Sequence, residues 1–130
     1  MDSSRIAFAA GLIRYPYGTV IILAGLDKVF ATNLIARWPE YVSEPIVSIV
    51  GQVGVGAFLM LVGVIEVVVG ALMLWRYAAL MGYVAAAWLV LIAINLVLLG
   101  YLDIAARDLL LACALVAMSE LCHTEKSPYR

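Results

Sequence analysis

Hydrophobic positions in this chain fall into four long runs with short polar breaks between them. The first extends from about Ala7 to Phe30 and the second from Ile46 to Leu74. The third, Tyr77 to Leu102, contains no charged residue, and the fourth is Ile104 to Leu121. A membrane-spanning helix needs about 20 mostly apolar residues, and runs of about 17 still suffice. The runs show none of the two-residue alternation of a barrel strand, and only helices or closed barrels satisfy the backbone in lipid. The pattern predicts an all-α, polytopic membrane protein: a four-transmembrane-helix bundle with helices near 7–30, 46–74, 77–102 and 104–121. It reads as one membrane domain over 1–130, with a polar cytoplasmic tail at 123–130.

The break "ATNLIARWPEYVSEP" (31–45) carries Leu34, Ile35, Trp38 and Tyr41 among polar residues. Tryptophan and tyrosine favour the membrane–water interface. A short interfacial helix limited by Pro39 and Pro45 is expected between helices 1 and 2. Its simplest role is an anchor; the alternative is a lid over polar groups in the bundle.

Composition strengthens the membrane reading. The chain of 130 residues is 66% hydrophobic and 13% charged, with a mean hydropathy of +1.08. A soluble domain of this size leaves too much surface in water to hide that apolar content. The net charge of −1 and the lack of a basic stripe give nucleic acid nothing to bind. Arg14 and Pro16 interrupt the first run, so it reads as a retained helix and not a cleaved leader. With four spans, Arg5, Arg14, Arg76, Lys126 and Arg130 fall on one side and Arg37 on the other. The excess predicts both termini in the cytoplasm, in a bacterial-type inner (plasma) membrane.

Glycines and charges are patterned together. Helix 1 has Gly11, Gly18 and Gly25, and helix 2 has Gly56, Gly63 and Gly70. A spacing of seven keeps small residues on nearly one stripe, where membrane helices approach closely. Gly18, Gly25, Gly56, Gly63 and Gly70 are therefore the expected packing positions. "LAGLDKV" and "LVGVIEV" share L-x-G-x-x-[K/E]-V, which puts Lys28 and Glu66 beside the stripes.

Helix rise sets the depths. Lys28 lies about 21 Å from Arg14 and Glu66 about 15 Å from Arg76; Arg107 and Asp108 lie about 21–23 Å from Cys122, and Asn95 is higher still. Charges in hydrocarbon pair or line polar cavities. Lys28, Glu66, Arg107 and Asp108, with Asn95, are thus expected to form a polar intramembrane cluster. Other placements compete: Lys28 snorkelling outward, Asp27 pointing to the interface, Arg107 pairing with Asp103, and Asp103 capping helix 4. Glu66, near the midplane, has no outward escape and must be paired, protonated or functional.

The available chemistry is limited. His123 is the sole histidine, so bis-histidine haem is excluded. No zinc spacing, P-loop, dinucleotide fingerprint or G-x-S-x-G is present. Cys113 and Cys122 lie on one helix about 13 Å apart along its axis, too far to bridge, and read as packing residues. No metal site and no covalently held cofactor is expected. The ionic cluster is suited to an anionic or quinone-like headgroup, to a proton relay, or simply to holding helices together.

"GLDKVF" closing helix 1, "GVIEVVVGALML" on helix 2 and "ARDLLLACALVAM" opening helix 4 resemble the DoxX-like small four-helix membrane proteins. The likeness extends over roughly Leu12 to Met118. The family's glycine–lysine, glutamate–glycine and arginine–aspartate features fall on Gly25 and Lys28, Glu66 and Gly70, and Arg107 and Asp108. The resemblance implies an accessory or structural subunit of a respiratory or quinone-linked membrane oxidoreductase, more a non-catalytic subunit than an enzyme on its own. Quinone is then the candidate ligand, and other membrane subunits or further copies of the chain are the candidate partners beside the bilayer. A small four-helix transporter, or a lipophilic-ligand-binding protein using Glu66, is the alternative; drug transporters of that size carry their glutamate on helix 1. A subunit that only fills a seam, and a sterol-type isomerase using Glu66 and Asp108, complete the range.

Overall fold

The computed structural model describes residues 2–125. Lys126 and Arg130, used above for orientation, and most of the expected polar tail lie outside them. Every regular element is helical: α1 (Ser3–Val29), a 3-10 helix (Trp38–Tyr41), α2 (Glu44–Val50), α3 (Val55–Trp75), α4 (Ala78–Leu99) and α5 (Leu102–Glu125). Among the described residues, α1, α3 and α4 are long and apolar enough to cross a bilayer, and the protein is a membrane-embedded, all-α chain. At 1.5 Å per residue the shortest of the three is about 31 Å long, matching the hydrocarbon thickness.

The second hydrophobic run is not one helix. It breaks at Gly51–Gly54 into α2 and α3. Gly54 takes φ +89°, a left-handed conformation that glycine adopts without penalty, and it serves as the N-cap of α3. The glycine-rich "GQVGVG" at 51–56 overrides the apolar character of its neighbours. Two other boundaries shift. The fourth helix starts at Leu102, so Asp103 lies in the first turn and not at the N-cap, where its charge still suits the helix dipole. It also continues to Glu125, through the start of the expected tail.

The long helices alternate in direction and form a ring. α1 packs on α3 and α5, and α4 packs on α5 and α3. The core between them is rich in alanine, with Ala10, Ala78, Ala79, Ala85, Ala86 and Ala112 around Met73, Leu115 and Met118. Small side chains let the helices sit close, which is how helix contacts gain dispersion energy in lipid. Outward faces stay apolar: Leu61, Leu91, Leu98 and Leu110 are all more than half exposed. Such bands suit a lipid solvent and would be a liability in water.

Two glycine contacts join α1 to α3. A Cβ added at Gly25 would stand 2.6 Å from the Gly63 carbonyl oxygen, and one at Gly63 would stand 2.5 Å from the Gly25 carbonyl oxygen. Two turns away, a Cβ at Gly70 would be 2.9 Å from the Gly18 carbonyl oxygen. Gly56 is different. Nothing lies within 4 Å of its Cβ position, so the expected packing role of Gly56 is corrected. Gly82 of α4, not singled out from the sequence, meets the Leu115 carbonyl oxygen of α5 in the same way, at 3.1 Å. At the far end of the bundle, Arg14 donates to the carbonyls of Met73, Leu74 and Trp75, satisfying the last turn of α3.

Candidate functional site

The glycine contact between α1 and α3 brings Lys28 to Glu66. A Cβ at Gly63 would be 2.9 Å from the Lys28 Cβ, so the bare glycine is what admits the lysine stem. Glu66 lies one turn further along the same face of α3. The lysine reaches along α3 and its Nζ stands 2.6 Å from Glu66 Oε2, with the two side chains 7% and 5% exposed. Lys28 does not snorkel outward. The lysine stem spans the depth difference that helix rise gives between the two residues.

A loop covers this pair. The ring of Trp38 lies over the ammonium, with Lys28 Nζ 3.6 Å from the ring centroid. A cation held against an indole face is attracted by the ring's quadrupole, more strongly where water is excluded. Trp38 is held in turn by Asp27: its Nε1 donates to Asp27 Oδ2 at 2.6 Å. Asp27 also accepts from the backbone N–H groups of Leu34 and Ile35, at 2.9 and 3.1 Å, and from the Thr32 hydroxyl. Asp27 is 5% exposed and directs the loop, correcting the expectation that it points to the interface.

The loop enters through a tight turn. The Ala31 N–H bonds the Lys28 carbonyl and the Thr32 N–H bonds the Asp27 carbonyl, the paired pattern of a Schellman helix end. Ala31 sits at φ +51°, where glycine is usual. The other end of the loop is tied by Asn95 of α4. Its Nδ2 donates to the Tyr41 carbonyl at 2.5 Å, and its Oδ1 accepts from the Ser43 N–H at 3.0 Å. Tyr41 also stacks on Tyr101, with ring centroids 5.4 Å apart. Asn95 therefore anchors the covering loop and is not part of the charged cluster.

Arg107 and Asp108 form a separate pair. Arg107 Nη2 is 3.2 Å from Asp108 Oδ1, with the arginine side chain 66% exposed and the aspartate 8%. Arg107 pairs with its neighbour and not with Asp103. Behind the Lys28–Glu66 pair, the Tyr17 phenol lies within electrostatic reach of both Glu66 and Asp108. The buried indole N–H of Trp88 lies beside the Glu66 carboxylate. The expected single cluster is thus two ion pairs and a loop anchor, and Asp27, Trp38, Tyr17 and Trp88 are the residues that sequence reasoning did not assign to it.

An ammonium has three donors and no acceptor. Lys28 commits one to Glu66 and turns toward the indole face, so the site can hold an acceptor-bearing group or shuttle a proton between Lys28 and Glu66. Among the described residues, no group of three His, Cys, Asp or Glu side chains converges as a metal site would. No family model, no curated protein and no solved structure matches this chain.

Proposed function

We propose that this chain is a DoxX-like, four-span inner-membrane protein serving as a non-catalytic accessory subunit of a quinone-linked oxidoreductase complex. One observation carries the reading: the buried Lys28–Glu66 ion pair closed over by Trp38. A desolvated ammonium beside a carboxylate and an indole offers donors and proton exchange to a carbonyl-bearing headgroup. It supplies no electrons itself, so the redox centre belongs to a partner.

In this reading α5 is the fourth span. Its 24 residues would extend about 36 Å, and Arg107 with Asp108 offset each other's charge within it. Arg5, Arg14 and Arg76 gather at one end of the bundle and Arg37 at the other, which supports cytoplasmic termini. The loop at 31–43, with Leu34 and Ile35 outward, would lie in the opposite interface. The outward apolar bands would face lipid or neighbouring subunits.

Native mass spectrometry after gentle extraction from the native membrane tests the reading. The expected result is a stable complex with a cofactor-bearing subunit. A homo-oligomer alone, or one carrying a small ligand, overturns it in favour of a transporter or binding protein.

A further inference from the structure

A cleft opens between α1 and α5, at the end of the bundle opposite the covering loop. It measures about 190 Å³ and is lined by Ala7, Ala10, Gly11, Arg14 and Tyr15 of α1 and by Cys122 of α5. One water takes about 30 Å³ in the liquid, so the space is several times larger than that. Residues 7, 10, 11 and 14 are three and four positions apart and form one stripe of α1. Two methyl groups and a bare glycine leave the cleft open above Arg14. The arginine itself is only partly committed. Its Nε and Nη2 serve the carbonyls of Met73, Leu74 and Trp75, and its guanidinium lies 5.3 Å from the centroid of the Tyr15 ring. Nη1 donates to none of the described residues. No described carboxylate pairs with Arg14 either, since the ion pairs among those residues use Lys28, Arg37 and Arg107. A cation beside lipid calls for a counter-charge.

We propose that this cleft binds the headgroup phosphate of an anionic membrane lipid, with Arg14 Nη1 as the donor and Ala7, Ala10 and Gly11 as the wall. Hydrogen bonds from a guanidinium to a phosphate are charge-assisted and stronger than neutral ones. Basic pockets between membrane helices are a recurrent place for anionic headgroups. The surroundings favour a lipid over a free anion. Phe8 and Leu12, beside the stripe on α1, are 68% and 60% exposed, and Trp75, whose carbonyl Arg14 holds, is 78% exposed. These side chains suit the acyl and glycerol parts of the same molecule. Arg14 already braces α1 against the end of α3, and the bound lipid would brace α1 against α5. The inference goes beyond the accessory-subunit reading and does not depend on it.

The test is native mass spectrometry of the full-length, delipidated chain in a non-ionic detergent. It is titrated with phosphatidylglycerol and with an uncharged, phosphate-free galactolipid of the same acyl chains. Wild type, Gly11→Leu, Arg14→Gln and Arg5→Gln are compared, each checked for helicity. The expected result is one phosphatidylglycerol per chain, held about tenfold more tightly than the galactolipid, as a hydrogen bond to a charged group gives. Gly11→Leu fills the cleft and leaves the arginine in place; it should remove the preference, and so should Arg14→Gln. Arg5→Gln, outside the cleft, should keep it. Should Arg14→Gln fail to fold because the end of α3 is released, Gly11→Leu carries the test. Equal binding of the two lipids by wild type, or a preference that survives Gly11→Leu, overturns the proposal. A preference lost in Arg5→Gln also overturns it, because diffuse surface charge would then be the cause. Inorganic phosphate that displaces phosphatidylglycerol at equal concentration would make this a free-anion site and overturn the lipid assignment.

Discussion

Lys28 Nζ and Glu66 Oε2 stand 2.6 Å apart at a level where Gly25 and Gly63 bring α1 and α3 backbone to backbone. The two features depend on each other: the glycines make the approach, and the approach aligns the charges. Glu66→Gln keeps the size and an acceptor for Lys28 but removes the compensating charge. Loss of a hydrogen bond's charged partner in a buried site should lower stability by about 1–3 kcal/mol, read as thermal unfolding in detergent. If the proposed accessory-subunit role holds, the same variant should weaken retention in the partner complex. Unchanged unfolding and retention would mean that the charge on Glu66 serves neither.

The glycine contact gives a graded prediction. Gly63→Ala and Gly25→Ala each place a methyl against a backbone carbonyl that no rotamer change can move. Each should cost about 1–3 kcal/mol through forced separation of α1 and α3. Gly56→Ala has open space around it and should leave unfolding unchanged. Chemical cross-linking between cysteines introduced on the two helices provides a second readout of the separation.

Asp27 is expected to control the loop without controlling the bundle. Asp27→Ala removes the acceptor for Trp38, Thr32, Leu34 and Ile35 together. Limited proteolysis should then cut between residues 31 and 43 several-fold faster, and Trp38 emission should shift to the red as its ring meets water. Helicity by circular dichroism should stay as in wild type. Loss of helicity would show that the loop is needed for the bundle itself.

The sequence made the apolar spans and the α1–α3 contact readable because both rest on periodicity. Apolar length announces a helix in lipid, and glycines seven apart announce a close face. The loop was harder to read for a physical reason. Asp27 gains its role from the backbone N–H groups of Leu34 and Ile35, and every residue has such a group, so no sequence pattern marks them. Asn95 likewise binds the backbone of Tyr41 and Ser43. The break between α2 and α3 did carry a signal, three glycines within residues 51–56, but the surrounding valines mask it when apolar length alone is counted. The separation of Arg107–Asp108 from Lys28–Glu66 turns on helix rotation, which helix rise cannot supply.

Ala31 offers a test of the helix end that starts the loop. It holds φ +51° in a Schellman turn, a conformation that costs a residue with a Cβ about 1 kcal/mol. Ala31→Gly should therefore be neutral to stabilising, and Ala31→Val destabilising, in thermal unfolding. The reverse order would mean that the turn is not left-handed at this position.

The most direct test of the account is a double-mutant cycle on Lys28 and Glu66, measured as unfolding free energy in mixed micelles with Lys28→Met, Glu66→Leu and the pair combined. Leaving either charge buried alone should cost about 3–5 kcal/mol, whereas an apolar pair fills the same space without an uncompensated charge. The predicted result is that the double variant loses no more than either single does, so that the coupling is at least about 3 kcal/mol. Additive losses would contradict the account, because the two side chains would then not form the buried pair on which the site is built.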